Sequence, residues 1–252
     1  MISEKAKIGK NVEIHPLALI EDNVTIGDGS KIGPFSVIRK DVQIGSFCVI
    51  HPNVILESGV ELEESVEVFP GAYLGKIPKG AGATARQIEV EPKITIGTGS
   101  CIGSHAIIFR NVKLGRNTLI GDSSLIREGC IVGDLCIIGR GTTLHYNVQI
   151  GNNTKIMTYV NLTGNTIVGE NVFISGYTMT TNDNKFGIDG YGDHVLGPRI
   201  GDNALIGAAA NLLPGVNIGS GSIVGASSLV TRDVPPGAKV MGIPARIVSK
   251  TK

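Results

Sequence analysis

An Ile, Leu or Val returns at every sixth residue along most of this chain. From Ile8 the phase holds for 12 consecutive anchors, through Ile14, Ile20 and Ile26 to Leu74. It resumes at Ile96 for 14 anchors ending at Ile174, and at Ile200 for 6 more ending at Val230. Four places after the anchor stands a small or β-branched residue, such as Val12, Ala18, Ser30, Ser124 or Thr142, and the residue directly after it is most often Gly. A helix would space its apolar residues three and four apart, and a simple strand two apart. A period of six with two inward positions describes a short strand plus a corner. Three hexads close a triangular coil, and coils stack about 4.8 Å apart through parallel ladder hydrogen bonds. The hexads therefore predict an all-β, parallel β-helix of about ten coils.

Two stretches break the phase, residues 80–95 and 180–199. A solenoid can extrude a loop at a corner without disturbing its stack, and long loops in compact domains are usually functional. The repeat ends after Val230, which divides the chain into a β-helix over 1–234 and a tail over 235–252.

Composition narrows the function. A net charge of +1 gives no basic surface for nucleic acid, and the absence of Trp with only 4% aromatic residues disfavours a stacking platform for single strands. The N-terminus MISEKAKIGKN has no apolar signal region, and no apolar run is long enough to span a membrane, so a cytoplasmic protein is expected. Cys48, Cys130 and Cys136 occupy the small-residue position of their hexads and read as core residues; Cys101 falls one place later with no partner suggested by spacing. His15 and His51 share one hexad position two coils apart, about 10 Å, too far to share a zinc ion. Each precedes a Pro at a corner, and His105 also lies at a corner, so no metal site is expected.

The hexad Ile26-Gly27-Asp28-Gly29-Ser30-Lys31 resembles the left-handed parallel β-helix of the hexapeptide-repeat acyltransferases. The left hand comes from that resemblance, since crossover rules alone give the opposite hand. The stretch IGDNALIGAAANLLPGVNIGSGSIVGASSLV, continued by VPPG and VMGIPAR, is similar to the coenzyme A-dependent members of that family. The resemblance implies a homotrimer with acetyl-CoA in a groove between neighbouring subunits. Pantetheine would approach Gly207, Ala208, Ala209, Gly225 and Ala226, and Lys239 and Arg246 would meet the adenosine phosphates.

Where many hexapeptide O-acetyltransferases carry a catalytic His, in a T-x-x-H-P stretch, this chain has Asn182. Thr181-Asn182-Asp183 instead resembles the T-N-D stretch of the N-acetyltransferases that act on nucleotide-linked amino sugars. The preceding run IGNNTKIMTYVNLTGNTIVGENVFISG is similar to theirs, with Met157 and Gly164 where some of them hold a His and a Glu. The stretch Leu74-Gly75-Lys76-Ile77-Pro78 also resembles the acyltransferases of lipid A synthesis, but both of their catalytic-stretch histidines are missing around Met157–Asn165.

One His stands apart. His145 replaces a corner Gly, and steps of 18 residues link Phe109, Arg127, His145, Thr163 and Thr181, so the 180–199 loop springs from the column that carries it. An imidazole with an ordinary pKa near 6.5 suits a general base. His194, inside the loop, is a second candidate, and Asp183 could orient either one or hold the substrate amine. The expected catalytic set is Asp183, Asn182 and His145. The expected reaction is acyl transfer from acetyl-CoA to the amine of an amino sugar, nucleotide-linked, in surface polysaccharide or glycan synthesis. Two other classes remain open: an O-acetyltransferase, which would need a true base, and a non-catalytic β-helix scaffold.

Overall fold

Most hexads fold as a strand of two residues, the first pointing outward and the second inward, as in Thr25–Ile26 and Lys31–Ile32. A computed structural model of the chain describes residues 1–79, 91, 93–188, 190 and 195–250. Among the described residues the strands form three sheets of 11, 13 and 11 strands, one for each face of a prism, parallel throughout except for the last strand of the second. The first face runs from Lys7–Ile8 to Asn217–Ile218, the second starts at Glu13–Ile14, and the third runs from Leu19–Ile20 to Leu229–Val230. Away from the loops, partners are 18 residues apart, as for Thr25 and Gln43.

The stack has eleven strands on its shorter faces, where the 32 anchors give between ten and eleven coils, and a single further strand completes the eleventh. The extra rung is Met179–Thr180, whose inward residue is Thr180 rather than an aliphatic. Thr180 is fully buried, and its hydroxyl oxygen accepts from the Thr163 backbone N–H at 2.8 Å and lies 2.8 Å from the Thr163 hydroxyl. A hydroxyl can occupy an interior anchor when it is bonded in this way.

The apolar anchors stack into a continuous core, with Ile120, Ile126, Val132, Ile138 and Leu144 all fully or almost fully buried. The small-residue position has a second task. Its Ser, Thr and Cys side chains donate to a corner carbonyl 15 residues onward: Ser100 to Gly115, Thr142 to Met157, and Cys130 to His145. The corner glycines are set by coil packing, because a Cβ at Gly27 would meet the Ser46 backbone nitrogen at 2.5 Å.

All four cysteines are free thiols; Cys48, Cys130 and Cys136 are buried, and Cys101 is half-exposed. Burial pushes each of these thiols up, that of Cys130 to about 12. Thiolate is the reactive form. An aromatic disulfide reagent at neutral pH should therefore label only Cys101 in the folded protein, and slowly, with all four labelled after denaturation; fast native labelling of Cys130 would contradict this placement.

Both interruptions leave from the end of a third-face strand and return to the first face. One lies between Tyr73–Lys76 and Ile94–Ile96, the other between Met179–Thr180 and Arg199–Ile200. They therefore open at the same corner of the prism, five coils apart. The pairing resumes in step beyond each, Glu61 against Thr95 and Ile167 against Arg199. At the C-terminal end, Ala238–Met241 extends the second face in parallel beside Ile223–Val224, and Arg246–Lys250 folds back antiparallel on it. Among the described residues, no helix is long and apolar enough to cross a membrane.

Candidate active site

Corners between the first and second faces follow the Gly-rich consensus, as in Gly115-Arg116-Asn117. Between the two loops, the third-to-first corner does not: its successive coils read Phe109-Arg110, Arg127-Glu128, His145-Tyr146 and Thr163-Gly164. Large side chains stack there in place of bare backbone.

His145 sits in the middle of this strip and is half-buried. Its Nε2 lies 3.0 Å from Asn161 Oδ1, on the outward row of the third face. A carbonyl oxygen can only accept, so Nε2 carries the hydrogen and Nδ1 holds the basic lone pair. Burial holds the His145 pKa below its ordinary value of 6.5, and the Arg127 charge pushes the same way, against the opposing effects of the Asn161 hydrogen bond and of Glu128. The imidazole is thus neutral at physiological pH, as a base must be before it takes a proton. The Cys130 thiol steadies the corner by donating to the His145 carbonyl at 2.9 Å.

Beside it, the Tyr146 ring lies across Gly164, where a Cβ would meet the ring at 2.4 Å. Only Gly leaves room for that ring, which explains the residue standing at this position. Asn182 comes next in the column, donating from Nδ2 to the Gly164 carbonyl at 3.1 Å. His145, Tyr146, Gly164 and Asn182 are thereby joined through adjacent coils.

Asp183 points its carboxylate into its own loop. Oδ1 accepts from the Lys185 N–H and Oδ2 from the Gly187 N–H, both at 2.6 Å. This double cap shapes residues 183–188, whose tip presents Phe186 and Ile188 to solvent. His194 lies outside the described residues.

The expected coenzyme residues gather at another corner, between the second and third faces, in the last two coils. Gly207 and Gly225 owe their small size to stacking: a Cβ on Gly207 would meet the Ala226 nitrogen at 2.4 Å, and one on Gly225 would meet Met241 Cβ at 2.8 Å. Ala208 and Ala226 are exposed, and Ala209 holds a left-handed backbone with φ of 57°. Lys239 lies on the outward row of the second face, and Arg246 is exposed at the start of the final strand. The small-residue corner and the His145 corner thus border opposite edges of the third face. Among the described residues, no three His, Cys, Asp or Glu side chains converge as metal ligands would.

The repeat is matched by the family described as bacterial transferase hexapeptide (six repeats), over residues 5–40, 111–145, 147–182 and 197–232, more than half of the chain. The chain belongs to the bacterial transferase hexapeptide family. Among curated hexapeptide relatives, it is similar to the putative acetyltransferase YvoF of Bacillus subtilis, 43% identical over 84 residues that make up 33% of this chain and 44% of that protein. It is also similar to the serine acetyltransferase of Mycobacterium tuberculosis, 31% identical over 113 residues, 39% of this chain and 49% of that protein. The matched segments thus span less than half the length of these relatives. Among solved structures, the UDP-N-acetylglucosamine acyltransferase from Campylobacter jejuni aligns with 94% of this chain and 75% of its own, with a TM-score of 0.53 and 21% identity, a likeness of fold.

Within this hexapeptide framework, His145, Asn182 and Asp183 were legible as candidates. Asn161, Glu128, Tyr146 and Thr180 were missed, and Arg127 was read only as a step in the column that carries His145. A signal for Arg127 exists in the sequence, since it stands in the column where the family repeat has Gly; Glu128 and Tyr146 stand one place beyond that column.

Proposed function

We propose that this protein transfers the acetyl group of acetyl-CoA to the amine of a nucleotide-linked amino sugar, working as a homotrimer. The observation that carries this reading is the oriented, neutral imidazole of His145 at one edge of the third face, with exposed small residues at the other edge. Family membership and the acetyltransferase names of relatives support it.

Acyl transfer needs a positioned nucleophile and a route for its proton. The amine nitrogen attacks the thioester carbonyl, a C–N bond forms, and the C–S bond breaks with the sulfur leaving as thiolate. The amine proton goes to His145 Nδ1 and from there to the thiolate. Asn182 holds acceptor hydroxyls through the remaining capacity of its amide, and Asp183 keeps the loop in shape around them.

A groove needs two walls, and each corner supplies one. The trimer reading rests on this and on the third face, whose outward row Leu19, Val37, Ile55, Tyr73, Ile107 and Leu125 is apolar over six successive coils. Packing such rows against other copies would put one copy's His145 corner and its neighbour's Ala226 on the same groove, four coils or about 19 Å apart along the stack. Lys239 and Arg246 then serve the adenosine phosphates.

The test is direct. Coenzyme A should raise the thermal midpoint, since a ligand of the native state stabilises it. Ala226→Leu should weaken coenzyme binding by at least about tenfold, a loss of about 1.4 kcal/mol, with the unliganded midpoint unchanged because Ala226 is exposed. Sedimentation should give three times the 26.3 kDa chain mass. A monomer, or full coenzyme affinity in Ala226→Leu, would refute the groove; no shift at millimolar coenzyme would leave the scaffold reading standing.

The serine acetyltransferase relative favours a second reading, O-acetylation of a small alcohol, in which His145 is an obligatory base. A panel of amino sugars, nucleotide-linked amino sugars and hydroxyl acceptors separates the two.

A further inference from the structure

The strip between the two loops has an internal order beyond the candidate base. Lys76 Nζ lies over the Phe109 ring, 5.1 Å from its centroid. Arg127 follows one coil on, its guanidinium carbon 5.9 Å from the Phe109 centroid and 5.9 Å from that of Tyr146. Cation and ring therefore alternate along the corner as Lys76, Phe109, Arg127 and Tyr146, ending against Gly164 beside His145.

The charges on this strip are not equivalent. Arg127 gives Nε and Nη2 to the two oxygens of Glu128, at 3.2 and 3.0 Å, and Glu128 is only 3% exposed. That pair is held rigid and largely offset. Among the described residues, Arg110 donates from Nε to the Gly75 carbonyl at 3.3 Å, and its two terminal amino groups donate to none of them. Lys76 and Arg110 form no ion pair with any described residue, and both are half-exposed. Nearer the N-terminus, the same corner is different: Arg39 is paired with Glu21 at 2.7 Å, and Glu57 accepts from the Tyr73 hydroxyl. Two cations without a carboxylate partner among the described residues thus stand where the first loop opens, on a floor stiffened by rings and by the ion pair of Arg127 with buried Glu128.

We propose that Lys76 and Arg110 form the subsite for the phosphate groups of the acceptor, with Phe109 and Arg127 as its floor. The guanidinium offers paired donors suited to phosphate oxygens, and the ammonium adds a point charge. Phe109 and His145 are two coils apart, about 10 Å, which one pyranose ring spans together with the reach of the two side chains. An acceptor whose phosphates sit at Lys76 and Arg110 therefore lays its sugar toward His145 and Asn182. This inference rests on the reading of the acceptor as nucleotide-linked, and it names the residues that would select the linked form.

The experiment measures binding of UDP and of inorganic pyrophosphate by calorimetry, apart from turnover. Both probes should bind the wild-type protein. Lys76→Ala and Arg110→Ala should each weaken both at least about tenfold, while Lys76→Arg, which keeps the charge, should retain most of the affinity. Coenzyme A affinity should be unchanged in all three. Absence of probe binding at millimolar concentration, or unchanged affinity in both alanine variants, would overturn the subsite. Weakened coenzyme A binding in their place would overturn it too, by assigning the cations to the coenzyme's own phosphates. The two proposals can fail separately. If phosphate-free amino sugars are acetylated as well as nucleotide-linked ones, the subsite falls and acyl transfer stands. If no acceptor is acetylated but both probes bind through Lys76 and Arg110, the subsite stands and acyl transfer falls.

Discussion

Replacing His145 with Asn is expected to lower kcat/KM by about 10²- to 10⁴-fold, the loss typical of a removed general base. The fold should survive, because the two corner bonds that involve residue 145 are made by its backbone: its N–H donates to the Leu162 carbonyl, and its carbonyl accepts from Cys130. An Asn side chain can still reach toward Asn161 but cannot accept a proton at neutral pH. The wild-type pH profile carries the second half of the prediction. The His145 pKa lies below 6.5 because burial disfavours the imidazolium. The basic form therefore persists through neutrality, and kcat/KM should stay level there, then fall as pH drops through a value under 6.5. Stability follows the same sign: the unfolded state binds the proton more readily, so this contribution is present above the unfolded pKa and is lost as pH falls. In His145→Asn the acid limb due to this group should vanish from the residual rate. Unchanged turnover in the variant would transfer the proton's route to the leaving thiolate alone.

The period of six carried most of the fold because every coil solves the same packing problem, an aliphatic inside and a tight corner above another. Its failure at Thr180 is instructive. The interior accepts any side chain whose polar atom is bonded, and Thr163 supplies that bond from the neighbouring coil, which no local pattern displays. Steps of 18 residues correctly joined His145 to the second loop. The same arithmetic would have joined Lys76 to Phe109 and Arg127 had the first loop been counted across. Glycine was harder to read: Gly207 and Gly225, expected as coenzyme positions, are each also required by the coil stacked against them, whereas Gly164 looks like a gap in the site and is the bed for the Tyr146 ring. Such distinctions depend on what lies one coil away. Asp183 was legible as a candidate but not in its bonding, since backbone amides two and four residues onward are brought to it only by the loop's own turns.

Asp183→Asn is expected to lower kcat/KM by at least about 10²-fold, and Asp183→Ala by more. Each hydrogen bond to the carboxylate is charge-assisted and contributes about 1.5–3 kcal/mol, so the pair can hold a short loop against its conformational entropy. An Asn retains one acceptor and turns an amide toward the second N–H; an Ala retains neither. The β-helix itself should be untouched, with the thermal midpoint nearly unchanged, because the loop lies outside the stacked coils. The loss of rate then arises from position: a displacement of about 1 Å at an active site can cost about 10²-fold. Amide exchange discriminates this from direct proton transfer. If the carboxylate shapes the loop, exchange at Lys185 and Gly187 should accelerate in both variants while the pH profile keeps the limb assigned to His145. If the carboxylate exchanges protons with the substrate amine, the profile should change shape and those amides should stay protected. Wild-type rates in both variants, with the acceptor identified, would remove the 183–188 segment from the chemistry altogether.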